Sequence, residues 1–219
     1  MISGSGHPLA YPVLTTIGAL VTCLAWAPFA DSEQSSMLAA VGLVVVGYTA
    51  LRLAVACSVP RVRGLAPGIA DCKRVRQQYR LLSRSWLELD VNGRTRWLPV
   101  YFDPALVTLQ AATARIDGGA VRIGDLRLYP SGPLRVSEPP GRLADNPTRP
   151  DPDGRAHAER SARFGRRLLL DAQSVIAAPF AGLLWVYVAG GGFVAFIAAT
   201  TVAAAVATWL AAIRGSDPS

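Results

Sequence analysis

Lysine is almost missing from this chain: of its 22 basic residues, all but Lys73 are arginine. Histidine and methionine each occur twice and cysteine three times. Neither His7 nor His157 forms a zinc-type ligand pattern with Cys, Asp or Glu. No glycine-rich loop with a lysine leads into a helix, and the Gly190-Gly191-Gly192 run has no lysine, so a nucleotide-phosphate cradle is not expected. A nucleophile elbow is also lacking. Asp117 and Asp125 flank a short apolar run, but acids at hairpin ends are ordinarily solvated turn residues. The residues therefore point to no enzyme, no cofactor and no bound metal. Cys23, Cys57 and Cys72 have no partners at useful spacing and read as three free thiols. The abundance of Arg, Ala, Gly, Val and Pro suggests a GC-rich bacterial genome.

Charge is scarce over two long stretches. Residues 11–58 hold only Asp31, Glu33 and Arg52, and residues 168–213 only Asp171. Each stretch divides into two apolar runs long enough for a helix to cross a bilayer. The expected spans are Tyr11 to Ala30, Met37 to Ser58, Leu168 to Ala189 and Phe193 to Ile213. A cleaved signal peptide is the rival reading of the first run. It lacks a basic flank and is followed at once by a second run. The glycine turn makes the last two spans a helical hairpin, with a kink expected at Pro179. Ala199, Ala203, Ala207 and Ala211, and Ala178 with Gly182, repeat every fourth residue, a spacing that lets helices approach closely in lipid.

The charge missing from these runs is concentrated between them. Residues 60–167 carry 20 of the 22 basic and 11 of the 15 acidic residues. A membrane-tethered segment beside anionic lipid accounts for this excess with fewer assumptions than nucleic acid does. Arginines flank the second and third spans, while the loop Asp31 to Ser36 has none, so the positive-inside rule puts the middle segment and both termini in the cytoplasm of an inner-membrane protein. Ile69, Cys72, Val75, Tyr79 and Leu82 recur at helical steps. That suggests a basic amphipathic helix on the headgroups, with a solvated helix or a first strand running into Trp86 as the alternatives. The expected headgroup contacts are Lys73, Arg74, Arg76, Arg80, Arg166 and Arg167. Arg52 and Asp171 lie at similar depth near one face. Arg52 either snorkels to the interface or pairs with Asp171 across the two helical hairpins.

The middle segment is organised around WLELDVNGRTRWLPVY, Trp86 to Tyr101. Apolar residues alternate on either side of Asn92-Gly93, which predicts a two-residue type I′ hairpin turn. Pro99 places the returning arm at an edge or bulge. Asp103-Pro104 opens either a helix or a turn. Short runs at Thr113 to Ile116, Ala120 to Ile123 and Leu126 to Tyr129 continue as strands, and Leu134 to Val136 is a candidate for one more. The fold class expected is a membrane α-helical protein with four transmembrane helices in two hairpins and an inserted small antiparallel β-barrel-like domain. The divisions are 1–58 for the first hairpin, 59–84 for a basic juxtamembrane linker or helix, and 85–138 for the β domain. Residues 139–167 form a Pro-rich linker and basic segment, and 168–213 the second hairpin.

The runs RTRWLPVYFDPAL (Arg94 to Leu106) and GDLRLYPSGPLR (Gly124 to Arg135) resemble a pattern in actinobacterial membrane proteins with a small cytoplasmic β domain between apolar hairpins. The layout is also similar to LucA-type lipid uptake coordinators of mycobacterial Mce importers. The resemblance implies a non-enzymatic accessory or scaffold subunit of an envelope or lipid-transport complex, with other membrane proteins as partners. A small transporter or channel component, motivated by Arg52 and Asp171, is the alternative.

Overall fold

The computed structural model describes residues 6–57, 65–117, 120–145 and 152–219. Four of its helical segments are long and apolar enough to cross a membrane: Ala10–Phe29, Ser32–Ala56, Phe164–Ala189 and Gly192–Ile213. The first is α1 (Ala10–Trp26) continued by a 3-10 turn, and the second is α2 (Ser32–Ala56). The loop expected over Asp31 to Ser36 is mostly the start of α2. Asp31 caps it, accepting the Gln34 N–H at 2.8 Å.

The third is built from α4 (Phe164–Asp171), a 3-10 stretch (Ala172–Ala177) and α5 (Ala178–Ala189). The irregularity expected at Pro179 lies one turn earlier. Proline fits the first turn of α5, where its missing N–H is not needed, and the 3-10 stretch ahead of it takes up the change. The fourth is α6 (Gly192–Ile213), and a short α3 (Gly154–Ser161) precedes α4.

α6 packs along α1 and α5, and α1 along α2. Hydrogen bonds tie the bundle together: Trp209 Nε1 donates to Thr49 Oγ1 at 3.0 Å in its interior, and Trp26 Nε1 donates to Thr201 Oγ1 at 2.8 Å on its exposed side. The close approach of α5 and α6 is made at Gly182, against Phe196 and Thr200. Ala199 and Ala203 do not make that contact. They line an apolar cleft of about 410 Å³ that α1, α2, α5 and α6 leave open.

The middle of the chain is one curled antiparallel sheet. Its strands are β1 (Gly68–Tyr79), β2 (Leu82–Val91), β3 (Arg94–Val100), β4 (Ala111–Asp117), β5 (Ala120–Ile123), β6 (Leu126–Leu128) and β7 (Arg142–Asp145). The order is β3-β2-β1-β4-β5-β6, with β7 also on β1. The curl brings its two ends together. Just past β6, Tyr129 O accepts the Tyr101 N–H at 2.9 Å, and Trp97 and Arg135 exchange both backbone bonds. Leu87, Leu89, Leu98, Val100, Leu106 and Val121 are fully buried inside. Burying them supplies the main driving force, at roughly 25 cal/mol per Å² of apolar surface.

The Asn92-Gly93 turn is where the pattern placed it, joining Val91 to Arg94, and both residues have positive φ, 55° and 72°. Pro99 stands in β3, which ends the strand order. Asp103 caps a 3-10 turn, Pro104–Leu106. Gly93→Val is expected to lower stability by about 1–3 kcal/mol, since a β-branched residue resists φ > 0. The check is limited proteolysis of the sheet, and unchanged resistance would count against the turn.

Three expectations need correction. The stretch read as a basic helix, inside the 59–84 division, is the strand β1; residues 58–64 lie outside the described residues. Its inward face is Ala70, Cys72 and Arg74, and the supposed helical-face residues Ile69 and Tyr79 are 77% and 50% exposed. A pairing partner at every position overrides a five-residue periodicity. Second, the β domain does not stop at 138: Leu143 pairs with Gln77, so part of the Pro-rich segment is strand. Third, Leu134 to Val136 contributes only the single bridge of Arg135 to Trp97.

Candidate functional site

Among the described residues a connected polar cluster lies where the helices meet the sheet, and it is assembled by residues 214–219. β3 ends at Val100, opposite Ser85. Beyond that point the lane beside β2 is taken by the tail: Ser216 bridges Arg84, and the Asp217 N–H donates to Ser83 O at 2.9 Å. The tail therefore acts as an extra edge strand, and the Asp217 side chain turns inward to Arg74.

Arg74 and Asp217 are both fully buried and pair at 2.7 Å. Asp217 Oδ2 also accepts from the Ser85 hydroxyl, while Oδ1 accepts from the N–H and hydroxyl of Ser219 at 2.9 and 2.7 Å. Arg74 Nε donates to Ser85 Oγ at 3.0 Å. Burial alone would raise the Asp217 carboxyl. The Arg74 charge, then Ser85 and Ser219, outweigh it and hold the group below the usual carboxylate range.

Around this pair the tail reaches each neighbouring element. Ser216 Oγ donates to Asp171 Oδ2 at 2.8 Å, and Tyr11 donates to the same oxygen at 2.7 Å, which joins the tail to α4 and α1. The Tyr101 hydroxyl donates to Ile213 O at 2.8 Å, and burial raises its pKa. Arg52, on α2, donates through Nε to Ile213 O at 3.4 Å and through Nη2 to Ser131 O. Arg84 donates to the same carbonyl at 3.2 Å and lies over the Trp86 ring. Burial, and then the nearby Arg52 charge, push Arg84 down to about 10, so it is still a cation at neutral pH.

These placements change the expected site. Arg52 and Asp171 do not pair: each is held by the tail or by the loop at Ser131. Asp171 already carries two hydroxyl donors on one oxygen, and the backbone carbonyls at the end of α6 and at Ser131 are closer to hand for Arg52. Arg74 and Arg167 are not headgroup contacts either, because they are 0% and 7% exposed. Lys73 is occupied across the strands by Glu88 at 3.2 Å, Arg76 is half-buried, and Arg80 lies exposed over the Tyr79 ring. Of the six, only Arg80 and Arg166 are exposed.

The residues that the pattern missed are Asp217, Ser216, Ser85, Arg84, Ser131 and Tyr101. A weak signal existed for one of them. Asp217 is one of only four acids outside the basic middle, and it follows a span directly.

The three cysteines are free, and burial followed by the Asp71 charge raises the Cys72 thiol to about 11. It therefore stays protonated and poorly nucleophilic. Among the described residues no group of three His, Cys, Asp or Glu side chains is placed to hold a metal ion. Comparison of the chain with protein-family models, curated proteins and solved structures finds no match.

Proposed function

We propose that the chain is a multi-pass inner-membrane accessory protein that fixes a small cytoplasmic β module rigidly to its helices, as a scaffold subunit of an envelope or lipid-transport complex. The docked tail is the observation that carries this reading. Arg74 and Asp217 pair with each other, Arg52, Arg84 and Asp171 bond to hydroxyls and backbone carbonyls around them, and these bonds join α1, α2, α4, α6 and the sheet. Such a junction suits a part whose task is to hold a surface at a defined place.

Membrane insertion is supported by the helices' outward faces. Leu24, Leu43, Phe180, Tyr187 and Val188 are each 70% exposed or more, which is unfavourable in water over so much contiguous surface. The transporter reading took its motive from Arg52 and Asp171, and both are engaged in the tail junction.

Two measurements test the proposal. A reporter inserted at Asn146 should read cytoplasmic and one at Ser35 external; a periplasmic Asn146 signal overturns the orientation. A fusion after Ser219 is avoided because that residue belongs to the buried network. Purification of the full chain in mild detergent should bring a stoichiometric membrane-protein partner. Solute flux through proteoliposomes of the isolated protein would favour transport instead.

A further inference from the structure

Three arginines gather at the sheet-side ends of α2 and α6. Arg52 lies about one turn inside the end of α2, Arg214 directly follows α6, and Arg84 comes from β2. The loop at Ser131 brings them together. Arg52 and Arg84 each give Nη2 to the Ser131 carbonyl. A Cβ at Gly132 would lie 3.5 Å from Arg84 Nη2 and 3.7 Å from Arg52 Nη1, so the two guanidiniums flank one backbone segment. Arg214 is held beside the same loop by its neighbours. A Cβ at Gly215 would meet Ser131 at 2.7 Å, and the Ile213 carbonyl accepts Arg52 Nε. The charges of Arg52 and Arg214 both bear on Arg84. None of the three has an ion-pair partner among the described residues.

Backbone carbonyls solvate a guanidinium without cancelling its charge. The carbonyl end of α6 supplies about half an elementary charge, against three full ones of the opposite sign. The excess is a local positive field that attracts an anion. Donors remain to receive one. Nη1 of Arg52 and Nη1 of Arg84 have no hydrogen-bond partner among the described residues and are not enclosed, and Arg214 is exposed. We propose that Arg52, Arg84 and Arg214 form a binding site for a phosphate-type oxyanion. Guanidinium N–H groups make charge-assisted bonds to phosphate oxygens, which suits them to this ligand. In a bilayer the ends of spans stand at the depth of lipid phosphates, and basic groups between spans on that side take anionic headgroups. The lipid source rests on the membrane reading above; the anion site itself does not.

The test uses the full chain in phospholipid-free maltoside micelles at constant ionic strength. One arm adds inorganic phosphate and the other adds phosphatidylglycerol. The thermal midpoint of the wild type should rise with ligand concentration. A rise with phosphate identifies a site open to free anions. A rise with phosphatidylglycerol but not with phosphate identifies a lipid headgroup; either supports the proposal. Arg214→Glu sets an acid beside the other two arginines, and the exposure of Arg214 lets the fold survive the change. It should weaken apparent affinity on the order of tenfold or more. Arg94→Glu makes the same change of charge at the Asn92-Gly93 turn, the opposite end of β2 from Arg84, and should keep the rise. No rise in either arm, a rise that persists at wild-type affinity in Arg214→Glu, or a rise equally lost in Arg94→Glu overturns the proposal. Should Arg214→Glu fail to fold, Arg214→Gln against Arg94→Gln decides in the same way.

Discussion

Asp217→Asn is expected to destabilise the detergent-solubilised protein by about 3–5 kcal/mol, the range for removing one partner of a buried ion pair. The amide keeps the size and some of the hydrogen bonding of the carboxylate. It leaves Arg74 facing a neutral group in a fully buried place. The effect should also be visible in the acid limb of stability. The folded-state pKa of Asp217 is depressed, so its contribution is fully present above the ordinary carboxylate value, about 3.9, and disappears as pH falls through the lower folded value. Wild type should therefore lose stability below that ordinary value, and Asp217→Asn should lack that part of the loss. Thermal midpoints measured from acid to neutral pH check both statements; a variant as stable as wild type at neutral pH would remove the pair from the account.

The second large effect concerns a glycine without charge or turn. A Cβ at Gly182 would lie 3.0 Å from the Phe196 carbonyl oxygen and collide with the Thr200 hydroxyl. Backbone cannot yield as a side-chain tip does, so Gly182→Val must push α5 away from α6, at about 1–3 kcal/mol or more. Gly165, in α4 of the same span, has open space around it. Gly165→Ala should be neutral or slightly stabilising, because alanine is the better helix former. Midpoints for Gly182→Ala, Gly182→Val and Gly165→Ala, measured side by side, separate close approach from general helix propensity. Equal shifts for the two alanine variants would mean that α5 and α6 do not meet at Gly182.

The physical reasons for what the sequence disclosed are uneven. The apolar runs were legible because bilayer thickness sets their length and every position contributes. The Asn92-Gly93 hairpin was legible because its turn demands residues that tolerate φ > 0. β1 was misread because its turn into β2, at Arg80-Leu81, carries no glycine or asparagine, and because Arg74 points inward where a hydrophobic residue would have marked the face. An inward arginine is acceptable only with its counter-charge, and that counter-charge lies 143 residues further along the chain. Nothing local to either residue announces the other. The tail GSDPS reads as a solvated end by composition. Its burial depends on the lane left open where β3 stops, which is a property of the assembled sheet. Arg167 was placed on the headgroups for the same reason: its charge is visible in the sequence, while the Tyr11 and Phe102 rings that enclose it come from elsewhere in the chain.

The most direct measurement of the tail-docked junction is amide hydrogen exchange over the C-terminal peptide 213–219 of the full chain in micelles. The Asp217 N–H is bonded to Ser83 O beside β2. The account predicts that this peptide exchanges as slowly as the β2 peptide and opens with it, since both belong to one cooperative unit. Exchange at the rate of an unstructured terminus, while β2 stays protected, would contradict it.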